Sequence, residues 1–202
     1  MHGSVEALTQ ATHHIKWQDA VDAIIIAGDF ASINYEKNDK EILKEDQKIS
    51  YMFSLLDELA IPYYFVWGNR DIFHFFYMMT IQNPDASHRH IENLQYGTFL
   101  TDTAVFPFKH YRITANPQRV NQNTLFVTHW QKDVEWNALL HLEGHVHFGQ
   151  YQANCLNLGF LFRDSLHGAQ QLLGGLWEIE LSTNQITSVE YVYFGGNIKL
   201  AS

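Results

Sequence analysis

Cysteine is nearly missing from this chain. Cys155 is the only one in 202 residues, which excludes an intramolecular disulfide and a zinc site built from several thiolates. Proline is scarce, with 4, and no repeat, low-complexity tract or Pro/Gly/Ser-rich linker interrupts the chain. One domain over 1–202 is therefore expected. Long apolar runs are missing too. A membrane-spanning helix needs about 20 apolar residues, and the richest segment, 63–79, is broken by Gly68, Asn69, Arg70, Asp71 and His74. No basic stretch followed by an apolar one opens the chain, so the cytoplasm is the expected compartment and no membrane is expected as a partner. Positive charge is short as well: 13 Lys+Arg stand against 22 Asp+Glu, a net charge of −9. That balance argues against a dedicated nucleic-acid module. A small phosphorylated substrate remains compatible, because a bound metal would supply the local positive charge.

Apolar residues and histidine, by contrast, are plentiful. A hydrophobic fraction of 46% argues against disorder, and 12 histidines are many for this length. Val5, Leu8, Thr12 and Ile15 follow helical spacing and predict a helix over 4–17. The β-branched run Ala23-Ile24-Ile25-Ile26-Ala27 reads as a strand buried on both faces, ended by Gly28-Asp29. Ile42, Ile49, Met52, Phe53, Leu56 and Leu59 share one face of a helix over 39–60. A second buried strand, 63–67, stops at Gly68-Asn69. This alternation predicts a parallel α/β sheet. The second half is richer in strand: 125–128 ends on His129-Trp130, and Trp177, Ile179 and Leu181 alternate with Glu178 and Glu180 ahead of a second alternating run. An antiparallel set with a terminal hairpin is expected there.

Polar residues able to bind a metal recur where strands end: His2, Asp29, Asn69, His129, His145 and His147. Ligands gather at the carboxyl ends of strands in open α/β sheets. Imidazole combined with carboxylate and amide oxygen suits Mn²⁺, Fe²⁺, Zn²⁺ or Ni²⁺. Gly28, Gly68 and Gly144 each precede a candidate and permit a sharp turn. Taken singly, Gly-Asp or Gly-Asn after a strand is an ordinary turn, and Asp71 is an ordinary helix cap. The order of the elements carries the argument.

That order resembles the calcineurin-like metallophosphoesterases, whose pattern is D-x-H, G-D, G-N-H-D/E, a strand ending in His, then G-H-x-H. The matches are Met1-His2-Gly3 in part, Gly28-Asp29, Gly68-Asn69-Arg70-Asp71, His129 and Gly144-His145-Val146-His147, with Asn157-Leu158-Gly159 where small members carry Asn-Pro-Gly. The resemblance implies a four-layer α-β-β-α sandwich of two mixed sheets, with the family's first strand missing or truncated. It also implies metal-dependent hydrolysis of a phosphoester, a diester or another small phosphorylated compound, by two divalent ions, Mn²⁺ foremost. Asp29 would bridge the ions, with His2 and His147 on the first and Asn69, His129 and His145 on the second. A homo-oligomer is compatible with the resemblance.

Two departures qualify it. Arg70 stands where the family has His; Arg cannot act as a general acid, since its pKa exceeds about 12. It can grip phosphate oxygens bidentately, with Asp71 steering its fork, and substrates with good leaving groups are then favoured. The D-x-H aspartate is also lacking, which suggests a natural start about 6–10 residues upstream, one strand's length. The alternative reading is a weakened or inactive member acting as an interaction scaffold, as the retromer subunit with this fold does. Elsewhere, His13 and His14 suit the end of the first helix. His88 and His90 are expected to be solvated, His141 to lie in core or at the surface with a supporting place behind the last motif as the alternative, and Cys155 to be a small buried hydrophobe. The run 73–79 is expected to pack in the core, with a lid or a dimer surface as the alternative.

Overall fold

The computed structural model describes residues 3–18, 20–32, 38–81, 85–130, 137–159, 161, 175–183 and 185–193. The chain divides into two compact units, 1–101 and 102–202.

The first unit opens with α1 (Val5–Lys16), started by Ser4, whose Oγ accepts the Ala7 N–H at 3.2 Å. Glu6 in its first turn and His13, His14 and Lys16 in its last complement the helix dipole. It buries Ala7, Leu8, Ala11 and Thr12. The strand β1 (Ile24–Ile26) follows, then α2 (Asp39–Asp57), β2 (Tyr63–Phe65), α3 (Asn69–Thr80), α4 (Ala86–Glu92) and β3 (Gly97–Phe99). All three strands are parallel, in the order β1-β2-β3. Ile42, Ile49, Met52, Phe53 and Leu56 form the buried face of α2, as their spacing predicts. Phe30, Phe53, Phe65 and Trp67 stack edge-on or tilted at centroid distances of 4.7–5.9 Å, which packs this unit with rings rather than branched aliphatics.

Two expectations fail in this unit. His90 is 6% exposed, not solvated, and sits 2.7 Å from the buried Asp46 carboxylate. The α3 run is only partly core. Met78 and His74 are fully buried, whereas Ile72, Phe73, Phe76 and Met79 are each more than half exposed. Helical periodicity places the two sets on opposite faces, and an all-apolar run conceals which face turns inward.

The second unit holds β4 (Val105–Phe108), β5 (Tyr111–Thr114), β6 (Thr124–Thr128), β7 (Leu140–Glu143), β8 (Gly149–Gln152) and β9 (Cys155–Leu158) in one sheet of order β4-β5-β6-β7-β9-β8. Its centre is parallel, β5-β6-β7-β9, and only the pairs β4-β5 and β8-β9 at its edges are antiparallel. The antiparallel pairing expected here is thus confined, within this sheet, to its two edges. Every residue of β6 and β7 is buried, the mark of central parallel strands. The connection from β5 to β6 uses a short 3₁₀ turn, Pro117–Arg119, so no helical periodicity announces it. The expected hairpin is present as β10 (Gly175–Ser182) and β11 (Gln185–Tyr193), a two-stranded sheet of its own with Trp177 opposite Tyr191. This mixed α/β architecture, with one parallel and one mixed sheet, is of the kind the resemblance implies, although the first sheet is parallel throughout among the described residues. No described helix is long and apolar enough to cross a membrane.

Candidate metal centre

In the first unit the loops after β1 and β2 are fastened to each other. Gly28 and Asp29 both take positive φ, 86° and 58°, a conformation that costs Asp less than most residues. Asp29 Oδ1 accepts the Arg70 N–H at 3.0 Å. A Cβ on Gly68 would lie 2.1 Å from that same oxygen, so only glycine admits this approach. Asp71 completes the fastening from a fully buried position. Its Oδ2 accepts the Asp29 N–H at 2.9 Å and the Gly68 N–H at 2.7 Å, and its Oδ1 accepts the Ala31 N–H at 2.8 Å. Burial and the Asp29 carboxylate push the Asp71 carboxyl upward, and the Ala31 and Gly68 N–H groups pull it back.

This geometry corrects the role expected of Asp71. Its oxygens hold backbone N–H groups rather than the Arg70 guanidinium, so Asp71 positions the two loops and caps the first turn of α3. Asn69 is the first residue of that helix, and Arg70, half-buried, is the second. The structure thus brings Asp29, Asn69, Arg70 and Asp71 together.

In the second unit His129 follows β6 and His145 follows β7. Their rings lie 5.3 Å apart, nearly perpendicular, and the Gly144 N–H donates to the Thr128 carbonyl at 3.2 Å to tie the two loops. His129 is 4% exposed. His145 takes φ 62°, the second candidate ligand held in the left-handed region, where strain concentrates at functional sites. Trp130 packs on it at 4.4 Å. His147 lies two residues on in the same loop, half-buried. His2 lies outside the described residues. Each unit thus holds donors of a type that fits borderline divalent ions: a carboxylate pinned at a sharp turn in the first, and two imidazoles held face to edge at strand ends in the second.

The sequence profile of calcineurin-like phosphoesterases matches residues 1–168, well over half of the chain. The chain belongs to the calcineurin-like phosphoesterases. No curated protein matches it. The family is one of hydrolases that bind divalent metals and cleave phosphoesters, and the strand-end residues described above fall within the matched span.

Two buried polar groups of this phosphoesterase escape sequence reasoning. Asp46 on α2 receives His90 at 2.7 Å, His74 at 3.5 Å and Arg89 at 3.3 Å, which joins α2, α3 and α4. Burial opposes its ionisation, but the hydrogen bonds from His74 and His90 and their charge overcome this and hold the carboxyl well below the usual range. The second group is His141, Glu143 and Cys155, whose ligand atoms lie within 4.8 Å of one another. Burial and the Glu143 charge push the Cys155 thiol up to about 12. Cys155 is therefore partly buried among polar neighbours, not simply a small hydrophobe. The alternation of His141 and Glu143 on a strand was the available signal.

Proposed function

We propose that this phosphoesterase hydrolyses a phosphodiester or another small phosphorylated compound, with two divalent ions, Mn²⁺ foremost, held by Asp29, Asn69, His129, His145, His147 and His2. The observation that carries the proposal is the fixation of Asp29. Its carboxylate is aimed by the Arg70 N–H and its backbone N–H is held by Asp71. A side chain kept at positive φ by two partners from a distant loop is preorganised, and preorganisation is what electrostatic catalysis requires. When bound, the ions would neutralise phosphate charge and lower the pKa of water. Asp29 orients the nucleophile, while the imidazoles of His129, His145 and His147 and the Asn69 amide fix the remaining positions. Arg70 grips non-bridging phosphate oxygens and adds positive charge to an otherwise acidic chain. It supplies no proton to the leaving group. The acidic balance and the single cysteine support a cytoplasmic protein acting on small substrates.

The test is a series of aryl phosphodiesters with leaving groups of rising pKa, assayed with Mn²⁺. Rates should fall steeply along the series, because nothing protonates the departing oxygen. A flat series, with a pH profile governed by an acid near neutrality, would refute the role given to Arg70. One observation favours a second reading, a scaffold without turnover: the helix that carries Arg70 also exposes Ile72, Phe73, Phe76 and Met79. Full metal loading with no turnover on any ester would select it.

A further inference from the structure

The strands β7 and β9 run parallel, with His141 beside Cys155 and Glu143 beside Asn157. Residues two apart on a strand share a face, so these four side chains form a compact polar patch. Cys155 Sγ lies 3.8 Å from His141 Nδ1, and Glu143 Oε2 lies 3.9 Å from the same nitrogen. Ligands at Zn²⁺ bond lengths of about 2.0–2.3 Å in a tetrahedron are separated by about 3.3–3.6 Å. The two distances from Nδ1 exceed that range by about 0.2–0.6 Å, and the three ligand atoms all lie within 4.8 Å of one another.

Hydrogen bonding selects the ring nitrogen. The Thr128 hydroxyl has one proton and donates it to the Trp130 carbonyl at 3.1 Å. It therefore accepts from His141 Nε2–H at 2.8 Å. The neutral ring then carries its lone pair on Nδ1, the atom nearest to the thiol and the carboxylate. A distal N–H fixed by an outer acceptor is how proteins orient a metal-binding imidazole. Phe126 stacks on the ring at 4.9 Å and limits its rotation. Nδ1 and the carboxylate Oε2 are both acceptors, and His141 and Glu143 are 3% and 2% exposed. Asn157 makes an independent case. It is 3% exposed, its Nδ2 donates to Glu143 Oε1 at 3.4 Å, and its Oδ1 makes no hydrogen bond among the described residues. That buried oxygen suits a fourth ligand after a rotation of the side chain.

We propose that His141 Nδ1, Glu143 Oε2 and Cys155 Sγ form a closed structural site for a Zn²⁺-type cation, joining β7 to β9 at the root of the loop that bears His145 and His147. The thiol proton leaves to solvent on loading. A thiolate with an imidazole selects Zn²⁺ over Mn²⁺, so this site and the hydrolytic centre take different metals and share no residue.

The experiment is a Co²⁺ titration of the full chain after chelator treatment, read by the thiolate-to-cobalt charge-transfer band in the near ultraviolet. Cys155 is the only cysteine in the chain, so that band reports this site alone. The band should saturate, be bleached by Zn²⁺, vanish in Cys155→Ser and persist in Asp29→Asn. Glu143→Gln, which keeps the thiol, should weaken the band-forming affinity at least about tenfold. Cobalt bound by the wild-type chain without the band, or no cobalt bound at all, overturns the site. An affinity unchanged in Glu143→Gln overturns the ligand set.

Discussion

Replacing Asp71 by Asn perturbs one fully buried carboxylate that accepts three backbone N–H groups, from Asp29 and Gly68 on Oδ2 and from Ala31 on Oδ1. The amide is nearly isosteric but has one acceptor oxygen. With that oxygen at the Oδ2 position, two bonds survive and the Ala31 N–H faces an NH₂ donor; the opposite orientation strands two donors. The better orientation leaves one buried N–H unsatisfied, at about 1–3 kcal/mol. Loss of charge weakens the two surviving bonds by about 1 kcal/mol more. A total of about 2–4 kcal/mol lowers the melting temperature of a chain this size by roughly 4–16 °C. Thermal unfolding of metal-free Asp71→Asn, followed by circular dichroism, measures this directly. Metal affinity should also fall by about 10–100-fold, because the Asp29 loop loses its anchor. A variant that melts like the wild type yet hydrolyses nothing would refute the reasoning, since Asp71 would then act on substrate rather than through the Asp29 loop.

Three further outcomes are expected. Gly68→Ala places a Cβ 2.1 Å from Asp29 Oδ1 and 2.5 Å from Asp29 N; Mn²⁺ affinity, by calorimetric titration, should drop at least about tenfold, and unchanged affinity would deny that Asp29 is a ligand. His129→Ala, which removes a buried imidazole, should cut metal-dependent turnover by at least about tenfold, with added Mn²⁺ restoring part of it. Asp46 is held below its unfolded value near 3.9, so its stabilisation is present above that pH and is lost as pH falls through the folded value. Asp46→Asn should therefore destabilise the chain by about 1–3 kcal/mol at pH 7. The gap to wild type should shrink in urea unfolding at pH 3, and an equal gap at both pH values would contradict the assignment.

The parts of the site that depend on local breaks were legible in the sequence. Asp29, His129 and His145 sit where a buried β-run meets a turn, and both the run and its end are read from neighbouring residues. The hairpin of Trp177 and Tyr191 was legible for the same reason. What escaped depends on partners distant in the chain. Asp71 is joined to Asp29 and Ala31 across 42 and 40 residues, and no spacing rule reports that. His90 looks solvated in its polar stretch until Asp46, 44 residues earlier, is placed against it. The parallel centre of the second sheet is fixed by hydrogen bonding between β6, β7 and β9, whereas the composition of a buried strand is compatible with several pairings. In α3 an apolar run hid its own orientation, and Ile72 and Phe76 face solvent while Met78 is buried.

The central claim is that Asp29 organises metal-dependent cleavage of a phosphoester, and the rate of Mn²⁺-dependent hydrolysis of a chromogenic phosphodiester, wild type against Asp29→Asn, tests it most directly. The account predicts turnover that a chelator stops, Mn²⁺ restores and Asp29→Asn abolishes while its far-ultraviolet spectrum stays native. Turnover that survives in Asp29→Asn, or a fully metal-loaded wild-type chain that cleaves no ester, would contradict it.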